Sequence, residues 1–151
     1  MSRLSEIAVR IEGPTHVGGL GGGVQAVLSE LVGMLEALAG GGRCATIDLR
    51  SLPMSPQDRI ELQSALGNGE LQATLTADGV STLRETALSG VWWVEHRDDE
   101  GKVIAELIEV TTIPAILEAS LVEVAASART LRERLSVGRN GSERTDHATR
   151  N

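Results

Sequence analysis

The sequence has no phenylalanine and no tyrosine, and its aromatic content is two adjacent tryptophans, Trp92 and Trp93. A core must therefore be built from Leu, Ile, Val, Ala and Met, and the tryptophan pair is the obvious place to look for recognition. Cys44 is the only cysteine, which excludes an intrachain disulfide and suits a reducing, cytoplasmic location. His16, His96 and His147 lie far apart, and no Cys or His pair has ligand spacing. No protein-only metal site and no cofactor are expected. Lys102 is the sole lysine, and 14 basic against 21 acidic residues leave a net charge of −7. Nucleic-acid binding by counterion release needs a basic face that this composition does not offer. The start of the chain lacks a charged-then-apolar signal pattern. No run of about 18 apolar residues occurs, so no membrane span is expected.

What is present suits one small domain with a core, 151 residues in all. Leu4 to Ile11 alternates loosely and predicts a short strand, followed by a glycine-rich loop from Gly13 to Gly23. Val24 to Ala39 carries an apolar stripe at three- and four-residue spacing and predicts a helix ended by Gly40–Gly42. Gly33 within it suggests a close packing contact. Arg43 to Leu49 reads as a buried strand. Ser55, Pro56 and Asp58 form a helix start, and Gly67 closes that helix after Leu66.

A meander follows. Glu70 to Ala77 alternates, with Leu71, Ala73, Leu75 and Ala77 expected inward. Asp78–Gly79 is a tight turn signal. Strands are predicted at Ser81–Leu88, Val91–Arg97 and Lys102–Val110, with a break at Gly90 and a turn at Asp98–Gly101. Short connections make such neighbours antiparallel. Pro114, capped by Thr111 or Thr112, is expected to open a long helix carrying Leu117, Leu121, Val124, Ala128, Leu131 and Leu135. That stripe should dock on the chain's own sheet; pairing with a second copy as a homodimer is the alternative. The expected fold is α+β, a mainly antiparallel sheet with helices packed on one face. The expected division is 1–23 for the first strand and glycine-rich loop, 24–136 for the α+β domain, and 137–151 for a disordered tail.

Three constellations carry possible chemistry. Gly21 to Ala26 fits G-x-G-x-x-A before a helix, and Asp48 ends the next strand, a pattern that would seat a dinucleotide. The strand-to-helix gap is too long for a tight phosphate turn, and no lysine follows the glycines as a phosphate loop needs. A nucleotide-binding enzyme is thus the second reading. Glu85, Glu95, Glu106 and Glu109 read as a solvated sheet face rather than an acid/base pair, so no catalytic residue is assigned. Trp92 and Trp93 must point to opposite faces of their strand. One should enter the core, and the other should be either an exposed binding hot spot or covered by the chain itself.

The segments ATIDLRSLPMSPQDRIEL, LGNGELQATL and ETALSGVWWVEHRDDEGKVIAELIEVTTIPAIL occur in this order. Together they resemble the HupH/HyaF family of hydrogenase expression/formation proteins. The resemblance spans about Val24 to Leu117 and is most specific in the GVWWV…ELIEVTTIP run. It implies a chaperone-like accessory role in [NiFe]-hydrogenase maturation, without chemistry of its own. The partners it implies are the hydrogenase small-subunit precursor and other accessory proteins. The matching positions Glu85, Thr86, Gly90, Val91, Trp92, Glu109 and Pro114, with Trp93, are the expected partner-binding residues, and docking is expected to centre on an exposed tryptophan.

Overall fold

The computed structural model describes residues 19–142, and only the backbone of 138–142. The predicted strand at Leu4–Ile11, the loop before residue 19, His16, His147 and the tail from 143 onward lie outside the described residues. The chain divides into two units, 1–112 and 113–151.

In the first unit, helix α1 (Gly22–Gly41) precedes strand β1 (Ala45–Asp48) and helix α2 (Pro56–Leu66). Strands β2 (Gln72–Ala77), β3 (Gly79–Glu85), β4 (Val91–Arg97) and β5 (Val103–Val110) follow. They form a five-stranded sheet in the order β1-β5-β4-β3-β2, with antiparallel neighbours throughout. The fold is α+β, as the alternation and turn signals predict. The turns follow their sequence cues: Asp98 Oδ1 accepts from the backbone N–H of Glu100 and Lys102 at 3.0 and 2.9 Å, closing the β4–β5 connection.

Helices α1 and α2 cover one face. Val24, Val27 and Leu31 of α1 and Leu62 and Leu66 of α2 share a core with Ile47, Leu49, Val91, Trp93, Ile108 and Val110. Full burial of each such aliphatic side chain contributes roughly 1.5–3 kcal/mol, which fixes both helices to the sheet. Ser55 caps α2 in a full capping box with Asp58, and Pro56 fills the first helical position. α1 is long and apolar enough, by length and composition, to cross a membrane, contrary to the sequence expectation. Its buried stripe packs on the sheet instead.

The opposite face holds a smaller cluster: Leu83, Trp92 and Val94, with Ala73, Leu75 and Leu107 against it. Leu71 and Ala77, expected inward, are exposed. Gly33 has no atom within 4 Å of where a side chain would begin, so it marks no close contact.

The second unit corrects the sequence reading. Pro114 leads into a single 3-10 turn, Ala115–Leu117, not a helix. The helix proper, α3, runs from Leu121 to Ser142, past the expected end of the domain at residue 136. Ser120 caps it: its N–H and hydroxyl donate to Glu123 Oε2, and its Oγ accepts from the Glu123 N–H. The stripe expected to be buried is open, with Leu121 86%, Leu131 59% and Leu135 63% exposed.

Candidate functional site

Parts of the three stretches that carry the resemblance meet at one end of the sheet within the first unit. The register places Glu85, Trp92 and Glu109 side by side on adjacent strands, so all three rise from the same face. The connection from Thr86 to Gly90 is tied to its neighbours by backbone bonds. Ala87 N–H donates to Leu66 O at 3.0 Å, joining it to the end of α2, and Thr111 N–H donates to Gly90 O at 2.9 Å, joining it to the exit of β5. The Gly67–Glu70 segment lies against it: Gly69 N–H donates to Glu85 O at 2.9 Å. A Cβ on Gly69 would sit 2.5 Å from Thr86 O, so only glycine permits this approach. Gly90 has φ +84, a left-handed conformation that glycine adopts without steric cost.

Burial then sorts the expected site residues. Val91, Trp92, Trp93, Thr86 and Pro114 are all buried, whereas Glu85, Gly90 and Glu109 are partly exposed. Trp92 and Trp93 are only 4% and 3% exposed. The expectation of docking centred on an exposed tryptophan is therefore overturned; both indoles are packing residues, one on each sheet face. Thr86 is a turn residue, its hydroxyl donating to Leu88 O and accepting from Leu88 N–H at 3.2 Å each. Trp92 Nε1 donates to Thr111 O at 3.2 Å. Trp93 Nε1 is buried without an acceptor, an omission that costs about 1–3 kcal/mol.

Hollows open at this end. An apolar groove of about 380 Å³ is lined by Leu35, Leu38 and Ala39 of α1 with Ser89, Gly90 and Thr112, and Glu85 stands at it. Leu38 Cδ2 lies 3.4 Å from where a Gly90 Cβ would be, so the glycine keeps the groove open. A smaller cleft lies beside Trp93, against the end of α2. Sequence reasoning missed the groove because its α1 wall lies far from the motif run in the chain. Leu35 and Leu38, at the far end of the apolar stripe predicted for that helix and only partly buried, were the available signal.

Of the carboxylates read as a solvated face, Glu106 is instead buried at 8% exposure, 3.2 Å from Arg59 Nε. Glu95 pairs with Arg97 Nε at 2.7 Å. His96 Nδ1 lies 2.7 Å from Ser81 Oγ. Among the described residues, no three His, Cys, Asp or Glu side chains come together to hold a metal.

The nucleotide pattern also dissolves. Gly22 to Ala26 belong to α1, and Gly21 N–H at its start faces Glu61 Oε2 at 3.4 Å. Asp58 Oδ1 lies 3.1 Å from where a Gly21 Cβ would be, so carboxylates occupy the place a pyrophosphate would take. Asp48 accepts from Arg50 N–H at 2.9 Å, on a strand antiparallel to its neighbour rather than in a βαβ unit.

The C-terminal conserved region of the HupH hydrogenase expression protein matches residues 23–137. The hydrogenase expression/formation protein HoxQ of Azotobacter vinelandii is 33% identical over 87 residues, 58% of this chain and 31% of that protein. HupH of Rhizobium leguminosarum bv. viciae, another hydrogenase expression/formation protein, is 31% identical over 104 residues, 69% of this chain and 36% of its own length. The chain thus spans about a third of the curated relatives it matches. The solved structure of the hydrogenase expression protein HupH from Thiobacillus denitrificans superposes with a TM-score of 0.73 at 40% identity, covering 75% of this chain and 94% of that one. The chain belongs to the HupH family of hydrogenase expression proteins.

Proposed function

We propose that this chain is a binding accessory in [NiFe]-hydrogenase maturation, holding the small-subunit precursor and meeting other accessory proteins without breaking bonds itself. The observation that carries this reading is the apolar groove between α1 and the Ser89–Gly90 turn, with Glu85 among its lining residues. An apolar floor with one acidic group fits a partner segment in which a cation is followed by apolar side chains, as in a twin-arginine export signal. Apolar burial supplies the affinity, and the carboxylate favours a basic segment over an acidic one. Cytoplasmic action, before export, accompanies this reading.

The test is binding of the purified chain to the small-subunit precursor and to a peptide copying its first residues. Leu38→Asp should weaken both by more than about tenfold, as loss of a central apolar contact does. Glu85→Gln should weaken both less and reduce the salt dependence. Unchanged binding in Leu38→Asp, with the fold intact by circular dichroism, sinks the groove as the docking place. Absence of binding to the precursor in the parent protein sinks the function.

A further inference from the structure

We propose that the outer edge of β2 pairs with the same edge of a second copy of this chain, antiparallel and centred on Thr74, joining two five-stranded sheets. The pairing uses no residue of the apolar groove and does not depend on the partner proposed above.

β2 stands at one end of the strand order, so its outer edge has no neighbouring strand among the described residues. Glu85 N–H donates to Leu71 O at 2.9 Å, one step beyond the opposed residues Gln72 and Arg84. That bond sets the ladder, because hydrogen-bonded and non-bonded pairs alternate along antiparallel strands. Ala73 and Leu75 therefore bond inward to β3, and the N–H and C=O of Gln72, Thr74 and Thr76 point outward. All three of these residues are exposed.

Proteins ordinarily blunt such an edge with a charge, a proline, a bulge or a very short strand. The opposite edge of this sheet is blunted. There β1 has four residues, and the Arg50 guanidinium donates to the Val103 and Ile104 carbonyls of β5. By contrast, Leu71 to Ala77 carries no charge and no proline, and β2 pairs with β3 without a register break.

The run is complementary to itself. Turned end for end about Thr74, it sets Thr74 against the partner's Thr74 and Gln72 against the partner's Thr76. These pairs exchange about six main-chain bonds, two per pair, and their side chains are polar. On the other face, Leu71 meets the partner's Ala77 and Leu75 meets the partner's Ala73, a large side chain against a small one each time. Ala73 and Leu75 already pack against Leu83, Trp92 and Val94, so the pairing extends that cluster across the joint. It also covers Leu71, 58% exposed, and Ala77, the two apolar residues of β2 that the single sheet leaves open. The unfavourable pair is at the ends, where Glu70 meets the partner's Asp78, and salt screens it. An edge about 24 Å long and one side chain deep on each face buries less than the roughly 1,200–2,000 Å² of a stable interface. The dimer is therefore reversible.

The test is sedimentation velocity of the full chain from about 5 to about 500 µM, the range in which a weak interface associates. The chain should pass from monomer to dimer, at lower concentration when salt is raised. Thr74→Lys sets two cations opposite each other on an exposed position and should weaken association about tenfold or more, with circular dichroism unchanged. A second measurement reads the register. In a Cys44→Ser background, Thr74→Cys should cross-link two copies under mild oxidation, because the residue faces itself. Thr76→Cys, equally exposed but about 13 Å from its own counterpart in this pairing, should not. A chain that stays monomeric throughout, a dimer indifferent to Thr74→Lys, or equal cross-linking at residues 74 and 76 would overturn the proposal. The second of these outcomes would move the contact to another face, such as the open stripe of α3.

Discussion

Trp92 and Trp93 are adjacent in the chain and sealed on opposite faces of one sheet, yet their indole nitrogens meet opposite fates. Trp92 Nε1 donates to Thr111 O at 3.2 Å, and Trp93 Nε1 has no acceptor. The first bond ties β4 to the residue that follows β5. The second nitrogen is a buried donor that the fold leaves unsatisfied.

The two tryptophans should therefore respond differently to the same change. Trp92→Phe removes the buried hydrogen bond to the Thr111 carbonyl. Trp93→Phe removes a donor that had no partner, so part of the lost packing is offset. Urea unfolding should show Trp92→Phe as the more destabilised variant by on the order of 1 kcal/mol. Equal losses, or the reverse order, would mean that the Trp92 bond does not contribute.

Gly69 and Gly90 make a second pair with an expected order. A methyl group at residue 69 meets the Thr86 carbonyl at 2.5 Å, main chain that cannot yield without moving the Gly67–Glu70 segment. At residue 90 the nearest atom is the flexible end of Leu38 at 3.4 Å, and the obstacle is mainly the φ of +84. Gly90→Ala should cost about 1–2 kcal/mol, and Gly69→Ala more. Thermal unfolding followed by circular dichroism ranks them. Gly90→Ala should also narrow the apolar groove and weaken partner binding beyond its effect on stability.

Much of this architecture was legible along the chain, because strands and turns announce themselves within a few residues. The strand runs of β2 to β5, the Asp78–Gly79 and Asp98–Gly101 turns and the Ser55–Pro56–Asp58 start of α2 are local signals, and the structure forms these elements, although Leu71 and Ala77 are exposed. Failures arose where the answer depended on residues distant in sequence. Strand alternation says that Trp92 and Trp93 face opposite ways, but not that both faces are covered at that point. The buried state of Glu106 depends on Arg59, which only the packing of α2 brings near. The misplaced start of α3 is different. Pro114 is a tempting first helical residue, but Ser120-Leu121-Val122-Glu123 is a capping-box signature and was the better guide.

The Arg59–Glu106 contact predicts an asymmetry. Nε and Oε2 are 3.2 Å apart without the alignment of a hydrogen bond, while Arg59 Nη2 donates to Leu49 O at 3.3 Å. The arginine side chain is 32% exposed and the glutamate 10%. Arg59→Met strands a buried carboxylate; Glu106→Gln leaves a cation that can turn to water. The first should cost more than the second, by roughly 1–3 kcal/mol once solvent access at Arg59 is discounted. Chemical denaturation of both variants decides it, and a double variant that recovers stability over Arg59→Met would show that the stranded charge is the cause.

The two helix caps make an acid-sensitivity prediction. Backbone and side-chain donation from Ser120 hold the Glu123 carboxyl below the usual glutamate range. Side-chain and backbone donation from Ser55 do the same for Asp58. A carboxyl whose folded pKa lies below its unfolded value stabilises the fold above the unfolded pKa. That contribution fades as pH falls through the folded value, because protonation ends the charge-assisted bonds and the favourable interaction with the helix N-terminus. The window thus lies at and below about pH 4. Far-UV circular dichroism from neutral to strongly acidic pH should show α2 and α3 losing helicity there. In an Asp58→Asn, Glu123→Gln double variant the caps no longer titrate. It should begin with slightly less helix at pH 7 and lose less on acidification. Parallel acid curves for the parent and the variant would show that the two caps do not set the acid sensitivity.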